Sequence, residues 1–173
     1  MKITFVIGGA RSGKSSFALK QAEKIKGRKA YIATAQAFDE EMKERIEKHK
    51  KDRSKDWDTF EEPLKVADAL NEIANKYDAV VLDCLTLWLS NLMLKHLDCN
   101  KEMDTLFSAL KDSKLKTRDS KLLLVSNEVG LGIVPDNELA RRFRDWAGIL
   151  NQRVAEVADE VYLVTAGIPV KIK

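Results

Sequence analysis

The chain has little that would tie it to an oxidising compartment, a membrane or a nucleic acid. Only two of its 173 residues are cysteines, Cys84 and Cys99. Neither lies in a metal-ligand spacing, and both read as reduced thiols. No apolar run approaches the length of a membrane span. The first residues lack the charged, apolar and cleavage regions of a signal peptide, so the expected location is the cytoplasm. Net charge is only +3, from 30 basic and 27 acidic residues that are interleaved along the chain. Such a mixture makes no case for a nucleic-acid partner, while a local positive funnel for phosphates stays compatible with it. Repeats, low-complexity tracts and linkers are missing too. A hydrophobic content of 45% with 33% charged residues predicts a single globular domain over residues 1–173, large enough to bury an ordinary core.

What is present begins at once. The octet Gly8-Gly9-Ala10-Arg11-Ser12-Gly13-Lys14-Ser15 follows the apolar run Ile3-Thr4-Phe5-Val6-Ile7 and leads into a helix-like stretch ending at Glu23. This is G-x-x-x-x-G-K-S in its required setting of strand, loop and helix. Gly8 and Gly13 let the loop curl so that backbone N–H groups point at phosphate oxygens. The helix that starts near Lys14 turns its unpaired N–H groups and positive dipole end to the same anion. In this pattern Lys14 reaches the β- and γ-phosphates and the Ser15 hydroxyl binds Mg²⁺. The reading is a nucleoside triphosphate site.

Strand-like runs recur at Ile3–Ile7, Ala30–Thr34, Ala79–Leu82, Leu122–Ser126, Glu160–Val164 and Pro169–Ile172, mostly separated by segments with helical spacing. That alternation predicts an α/β fold, a mostly parallel central sheet with helices on both faces. Asn100–Ser120 and Asp136–Asp159 read as long helices, and Gly130-Leu131-Gly132 as a loop after the fourth strand. Ligands of such sheets sit beyond the carboxyl ends of the strands, so polar residues there are the first candidates for chemistry.

Asp83 closes the apolar run Ala79-Val80-Val81-Leu82 and is placed to hold Mg²⁺ beside the Ser15 hydroxyl, the competing role being a helix cap. Ser126-Asn127-Glu128 lies at the same edge. There Asn127 or Glu128 either orients a water, a metal or an acceptor hydroxyl, or simply caps a loop. Asn75-Lys76-Tyr77-Asp78 matches the guanine-reading N-K-x-D but precedes a strand, at the wrong end of the sheet. Arg141, Arg142 and Arg144 start a helix, where cations oppose the dipole, which favours phosphate or subunit contacts. His96 reads as a partly buried structural residue. Trp57, Trp88 and Trp146 read as packing anchors.

His49 sits in a charged helical stretch with Arg45, Lys48, Lys50, Lys51 and Arg53 around it. These cations favour a neutral, nucleophilic imidazole and would hold a triphosphate near it. Spacing alone, however, describes a solvated surface histidine.

Taken together, the segments resemble the bifunctional adenosylcobinamide kinase/adenosylcobinamide-phosphate guanylyltransferase family of cobalamin biosynthesis. The likeness runs from the phosphate loop through Tyr31-Ile32-Ala33-Thr34-Ala35, the stretch with Arg45-Ile46 and His49, and Trp57–Pro63. It continues through Asp83–Asn91, Ser126–Pro135, Arg144-Asp145, Asn151-Gln152 and Ala166-Gly167-Ile168-Pro169. The resemblance implies a RecA-like P-loop fold, a homotrimer, and two reactions at one site. The terminal phosphate of ATP or GTP passes to adenosylcobinamide. GTP then guanylylates a histidine, here His49, and the GMP unit moves to adenosylcobinamide phosphate. It further implies nucleotide contacts at Gly8 to Ser15 (Gly8, Gly9, Ala10, Arg11, Ser12, Gly13, Lys14, Ser15), at Ala33, Thr34 and Ala35, at Lys50, Lys51, Asp52 and Arg53, and at Glu61 and Asp83, with Mg²⁺ on Ser15 and Asp83. One departure stands out: after the histidine the family runs R-x-R-R-P, whereas this chain has Lys50-Lys51-Asp52-Arg53-Ser54. Asp52 replaces a cation, and the missing proline loosens the turn, which implies a weakened or rearranged grip on the triphosphate rather than a lost function. The competing readings are a small-molecule P-loop kinase without a covalent step and a RecA-like ATPase or switch, the latter lacking D-x-x-G after Asp83.

Overall fold

The structure is a computed structural model that describes residues 1–37, 40–51, 56–73, 75–115 and 120–173; the side chains of Arg45, Lys48, His49, Lys51 and 113–115 lie outside that description. In chain order the elements are β1 (Lys2–Gly8), α1 (Lys14–Glu23), β2 (Lys29–Ala33), α2 (Glu40–Lys51), β3 (Trp57–Glu61), α3 (Val66–Ile73) and β4 (Ala79–Asp83). There follow α4 (Leu85–Leu94), α5 (Cys99–Leu115), β5 (Lys121–Asn127), α6 (Glu138–Val157), β6 (Glu160–Thr165) and β7 (Ile168–Lys171).

The strands form one sheet in the order β3-β2-β4-β5-β1-β6-β7. All pairings are parallel except the β6–β7 hairpin, which is the mostly parallel, RecA-like α/β sheet expected. β5 lies between β1 and β4, with Gly8 opposite Asn127 and Asp83 opposite Val125. The ends of β1, β5, β4 and β2 therefore stand side by side at one edge.

Both faces of the sheet are covered, which is why its strands read as continuous apolar runs. Ile3, Phe5 and Ile7 of β1, Val80 and Leu82 of β4, and Leu122 and Leu124 of β5 pack with α3, α4, α5 and α6. The alternate residues Val6, Val81, Leu123 and Val125 pack against Ala18, Leu19 and Ala22 of α1. Trp88 is 1% exposed and its indole N–H donates to the Leu64 carbonyl at 2.8 Å. Trp57 is likewise buried, donating to Glu23 Oε1 at 2.6 Å, and Trp146 packs against the larger core.

Several boundaries differ from expectation. β3 was not anticipated: it is an edge strand of five residues in which only Trp57 is buried, so alternation is too short to register. The last strand is the antiparallel arm of a hairpin turned by Ala166 (φ 50°) and Gly167 (φ 79°). The helix read over Asn100–Ser120 begins at Cys99 and is described to Leu115, and residues 116–119 lie outside the described residues. The helix read over Asp136–Asp159 spans Glu138–Val157 because Asn137 caps it, accepting from the Ala140 amide at 3.1 Å. His96 is exposed rather than partly buried, because it ends the α4 segment in the left-handed region at φ 54°.

Candidate active site

Backbone geometry shapes the phosphate loop. Gly13 caps α1 at φ 93° and supplies no side-chain oxygen to the first amides of the helix, which stay turned toward the loop's interior. Arg11 also takes a positive φ of 54°, and reversals of this kind aim successive N–H groups inward. A β-carbon on Gly8 would collide with the Val164 carbonyl oxygen, and one on Gly13 would stand 3.2 Å from the Gly167 Cα. The loop is thus packed on the β6–β7 turn, and the Gly167 amide donates to the Ser12 carbonyl at 2.9 Å. Ser12 Oγ is buried with no hydrogen-bond partner among the described residues. Lys14, 6% exposed, donates from Nζ to the Gly9 carbonyl at 2.9 Å, which holds its ammonium over the loop.

Beside the loop lies a pocket of about 120 Å³. Lys14 and Ser15 of α1 form one wall, Tyr31, Ala33 and Ala35 another. Asp83, Cys84, Leu87 and Asn127 line it from the ends of β4 and β5 and the start of α4, and Met42, Ile46 and Lys50 line it from α2. The pocket therefore gathers Lys14, Ser15, Ala33, Ala35, Lys50 and Asp83 from the candidate set. Gly8 to Gly13 form the loop that runs into Lys14 but are not among the pocket's lining residues. Glu61, at the end of β3, reaches Lys50 Nζ with Oε1 at 2.9 Å.

Asp83 is not a helix cap: the cap of α4 is Cys84, without a side-chain hydrogen bond. The Asp83 carboxylate instead accepts from the Tyr31 hydroxyl at 3.0 Å. Cys84, wholly buried, has its thiol pushed up to about 11, chiefly by burial and then by the Asp83 charge. It is a packing residue, not a nucleophile. Thr34 is fully buried, and its Oγ1 both accepts from the Cys84 amide and donates to the Cys84 carbonyl, each at 2.8 Å. Asn127 donates to Thr86 Oγ1 at 2.7 Å, while Glu128 takes the loop-capping role, accepting from the Gly130 amide at 2.6 Å.

His49 is the tenth residue of α2, directly before Lys50; its side chain lies outside the described residues, as does that of Lys51. Asp52 and Arg53 lie outside the described residues altogether. Asn75-Lys76-Tyr77-Asp78 sits before β4 at the amino edge, where Asp78 accepts from the Arg28 amide at 2.9 Å, remote from the pocket as expected. Arg141 folds back onto the Pro135 carbonyl at 2.9 Å, and Arg144 pairs with Asp145 at 3.7 Å.

Sequence reading passed over Met42, Ile46 and Leu87, whose apolar character signals packing, and Tyr31 as a partner of Asp83. A hydroxyl two residues from the end of an otherwise apolar strand is the one signal that could have marked Tyr31.

As for a metal, the donors at hand are oxygens, the Ser15 hydroxyl and the Asp83 carboxylate in one pocket. Among the described residues no group of three or more His, Cys, Asp or Glu side chains is clustered for a metal. One carboxylate, one hydroxyl and substrate phosphates are the set that suits Mg²⁺.

Comparison with known proteins agrees with this geometry. The family described as cobinamide kinase / cobinamide phosphate guanyltransferase matches residues 4–172. The bifunctional adenosylcobalamin biosynthesis protein CobP of Pseudomonas aeruginosa is 44% identical over 168 residues, covering 97% of this chain and 95% of the relative. The bifunctional adenosylcobalamin biosynthesis proteins CobU of Escherichia coli and Salmonella typhimurium are 39% and 41% identical over 186 residues, each covering 97% of this chain and 98% of the relative. With the match spanning nearly every element, this chain belongs to the cobinamide kinase / cobinamide phosphate guanyltransferase family.

Proposed function

We propose that this chain phosphorylates adenosylcobinamide with ATP or GTP and then guanylylates the product through a phosphoramidate on His49, releasing pyrophosphate. The observation that carries this reading is the shared pocket: Lys14, Ser15 and Asp83 line it together with Met42, Ile46 and Lys50 of α2, the helix that contains His49.

In the first reaction the loop amides and Lys14 hold the β- and γ-phosphates, and the substrate hydroxyl oxygen takes the γ-phosphorus as the bond to the β-phosphate breaks. In the second, a ring nitrogen of His49 attacks the α-phosphorus of GTP and pyrophosphate leaves with the broken P–O pair. The phosphate oxygen of adenosylcobinamide phosphate then displaces the imidazole, and adenosylcobinamide-GDP forms. Ser15 and Asp83 would hold Mg²⁺, which when bound neutralises phosphate charge. The nucleotide contacts given to Gly8–Ser15, Ala33, Ala35, Lys50–Arg53, Glu61 and Asp83 belong to the same proposal, whereas Thr34 is left out of it because its hydroxyl is taken by Cys84 and its carbonyl by Asn91. A homotrimer, one catalytic domain over residues 1–173, a cytoplasmic location and the lack of a nucleic-acid partner belong to the proposal too. Among the described residues no helix is long and apolar enough to cross a membrane.

Incubation with GTP labelled at the α- or the γ-phosphate tests the covalent step. The α-label alone should stay on the protein, survive alkali, be lost in acid and vanish in His49→Ala. An unlabelled wild-type protein with intact kinase turnover would reduce the function to a plain P-loop kinase.

A further inference from the structure

Asp83 is held from two directions by residues of one neighbouring strand and the loop that follows it. Tyr31, in β2 beside β4, donates its hydroxyl to Asp83 Oδ2 at 3.0 Å. Among the described residues the structure gives Oδ1 no protein hydrogen bond. Tyr31 is itself fixed: it is 4% exposed, and its ring stands edge-on to Trp57 with centroids 6.4 Å apart. Trp57 in turn donates to Glu23 of α1 at 2.6 Å.

Three residues further along, Thr34 grips the main chain next to the carboxylate. Its amide donates to the Asp83 carbonyl at 3.3 Å, and its hydroxyl spans the N–H and C=O of Cys84 at 2.8 Å each. Asn91 of α4 then donates to the Thr34 carbonyl at 2.8 Å and to the Pro63 carbonyl at 3.1 Å. Thr34 and Asn91 are both buried, and every polar atom of Thr34 is engaged. The one hydroxyl proton of Thr34 is committed to the Cys84 carbonyl, so the side chain braces the strand end and does not donate to a nucleotide.

We infer that Tyr31 and Thr34 are positioning residues of the Mg²⁺ site: Tyr31 occupies one oxygen of Asp83 and turns the other toward the Ser15 side of the pocket, while Thr34 fixes the backbone that carries the carboxylate. This inference rests on the proposed metal role of Asp83. Residues of this kind, hydrogen-bonded to a ligand rather than to the metal, sharpen affinity by removing rotational freedom from the ligand.

The test measures Mn²⁺ affinity by electron paramagnetic resonance in the complex with β,γ-imido-GTP, and β,γ-imido-GTP affinity separately in EDTA. Tyr31→Phe keeps the ring and removes only the donor. Thr34→Val keeps the shape and removes the hydroxyl, and Thr34→Ser restores it. Tyr31→Phe and Thr34→Val should each weaken Mn²⁺ by about tenfold or more, the usual effect of losing such a partner. Metal-free nucleotide affinity should change by less than about twofold, and Thr34→Ser should regain most of the metal affinity, because the hydroxyl and not the methyl makes the contact.

Equal loss of metal and metal-free nucleotide affinity would overturn the inference, since general damage to the fold acts on both. Wild-type Mn²⁺ affinity in Tyr31→Phe would overturn it as well, even if Thr34→Val proved too unstable to purify. Asp83→Asn separates the two levels. If it loses Mn²⁺ while Tyr31→Phe does not, positioning is wrong and the metal role stands; if it binds Mn²⁺ normally, the metal role itself fails and takes the inference with it.

Discussion

Replacing the three glycines of the phosphate loop one at a time with alanine gives graded outcomes that the structure ranks in advance. Gly9 has nothing within 4 Å of where a β-carbon would stand and no positive φ, so Gly9→Ala should stay within about 0.5 kcal/mol of the parent, as unstrained exposed changes do. Gly13 sits at φ 93°, and its added methyl would press on the Gly167 Cα at 3.2 Å. The left-handed backbone alone costs a β-carbon about 1–2 kcal/mol, and the neighbour must also move a few tenths of an ångström. Gly8→Ala is the worst, because its methyl meets a backbone carbonyl of β6 that cannot rotate away. Overpacking of that kind costs about 1–3 kcal/mol and more when main chain must shift. Urea unfolding at 25 °C reads the differences directly. In a thermal scan each kcal/mol corresponds to roughly 2–4 °C for a chain of this size. A Gly8→Ala protein as stable as Gly9→Ala would refute the reasoning that the loop is packed tightly on the β6–β7 hairpin.

Other consequences concern charge, thiols and the core. Glu160 joins the starts of β1 and β5 and the end of the antiparallel β7 through Lys2 at 3.2 Å, Lys121 at 4.0 Å and Lys171 at 2.9 Å. Lys171 first, and Lys2 after it, hold its carboxyl below the ordinary 4.5 against a burial effect of opposite sign. Its contribution is therefore complete above that ordinary value and fades as pH falls through the lower folded one. Glu160→Gln should cost about 1 kcal/mol at pH 7 and nothing in strong acid, which urea titrations at several pH values would show. Cys84, wholly buried with its thiol raised to about 11, should resist alkylation at pH 8 until urea unfolds the chain, and fast modification in the native state would contradict its burial. Trp88→Ala removes the largest fully buried side chain and its bond to Leu64; a loss of about 3–5 kcal/mol is expected in the same unfolding assay.

The phosphate loop, β1, β4, β5 and the carboxyl-end edge of the sheet were legible in the sequence because buried parallel strands advertise themselves as apolar runs and because the loop motif fixes local geometry. β3 escaped, since an edge strand with one buried residue has no pattern to show. His96 was misplaced because a left-handed helix end leaves no hydrophobic signature. The placement of the candidate pocket was legible where the loop motif and a strand end point to it: Lys14 and Asp83 line it together, and Gly13 takes the left-handed φ of 93°. It was illegible where a role depends on pairing across strands: only the register of β2 against β4 brings Tyr31 and Thr34 to Asp83. α2 joins the pocket through Met42 and Ile46, residues that sequence alone assigns to packing.

The central claim is that one pocket serves both reactions, and a product assay tests it most directly. Purified protein given adenosylcobinamide, GTP and Mg²⁺ should yield adenosylcobinamide phosphate and then adenosylcobinamide-GDP, with one pyrophosphate per GMP transferred. Lys14→Ala, which removes the cation that caps the phosphate loop, should slow both steps together. A Lys14→Ala protein that no longer phosphorylates adenosylcobinamide yet guanylylates supplied adenosylcobinamide phosphate at the parental rate would contradict the account.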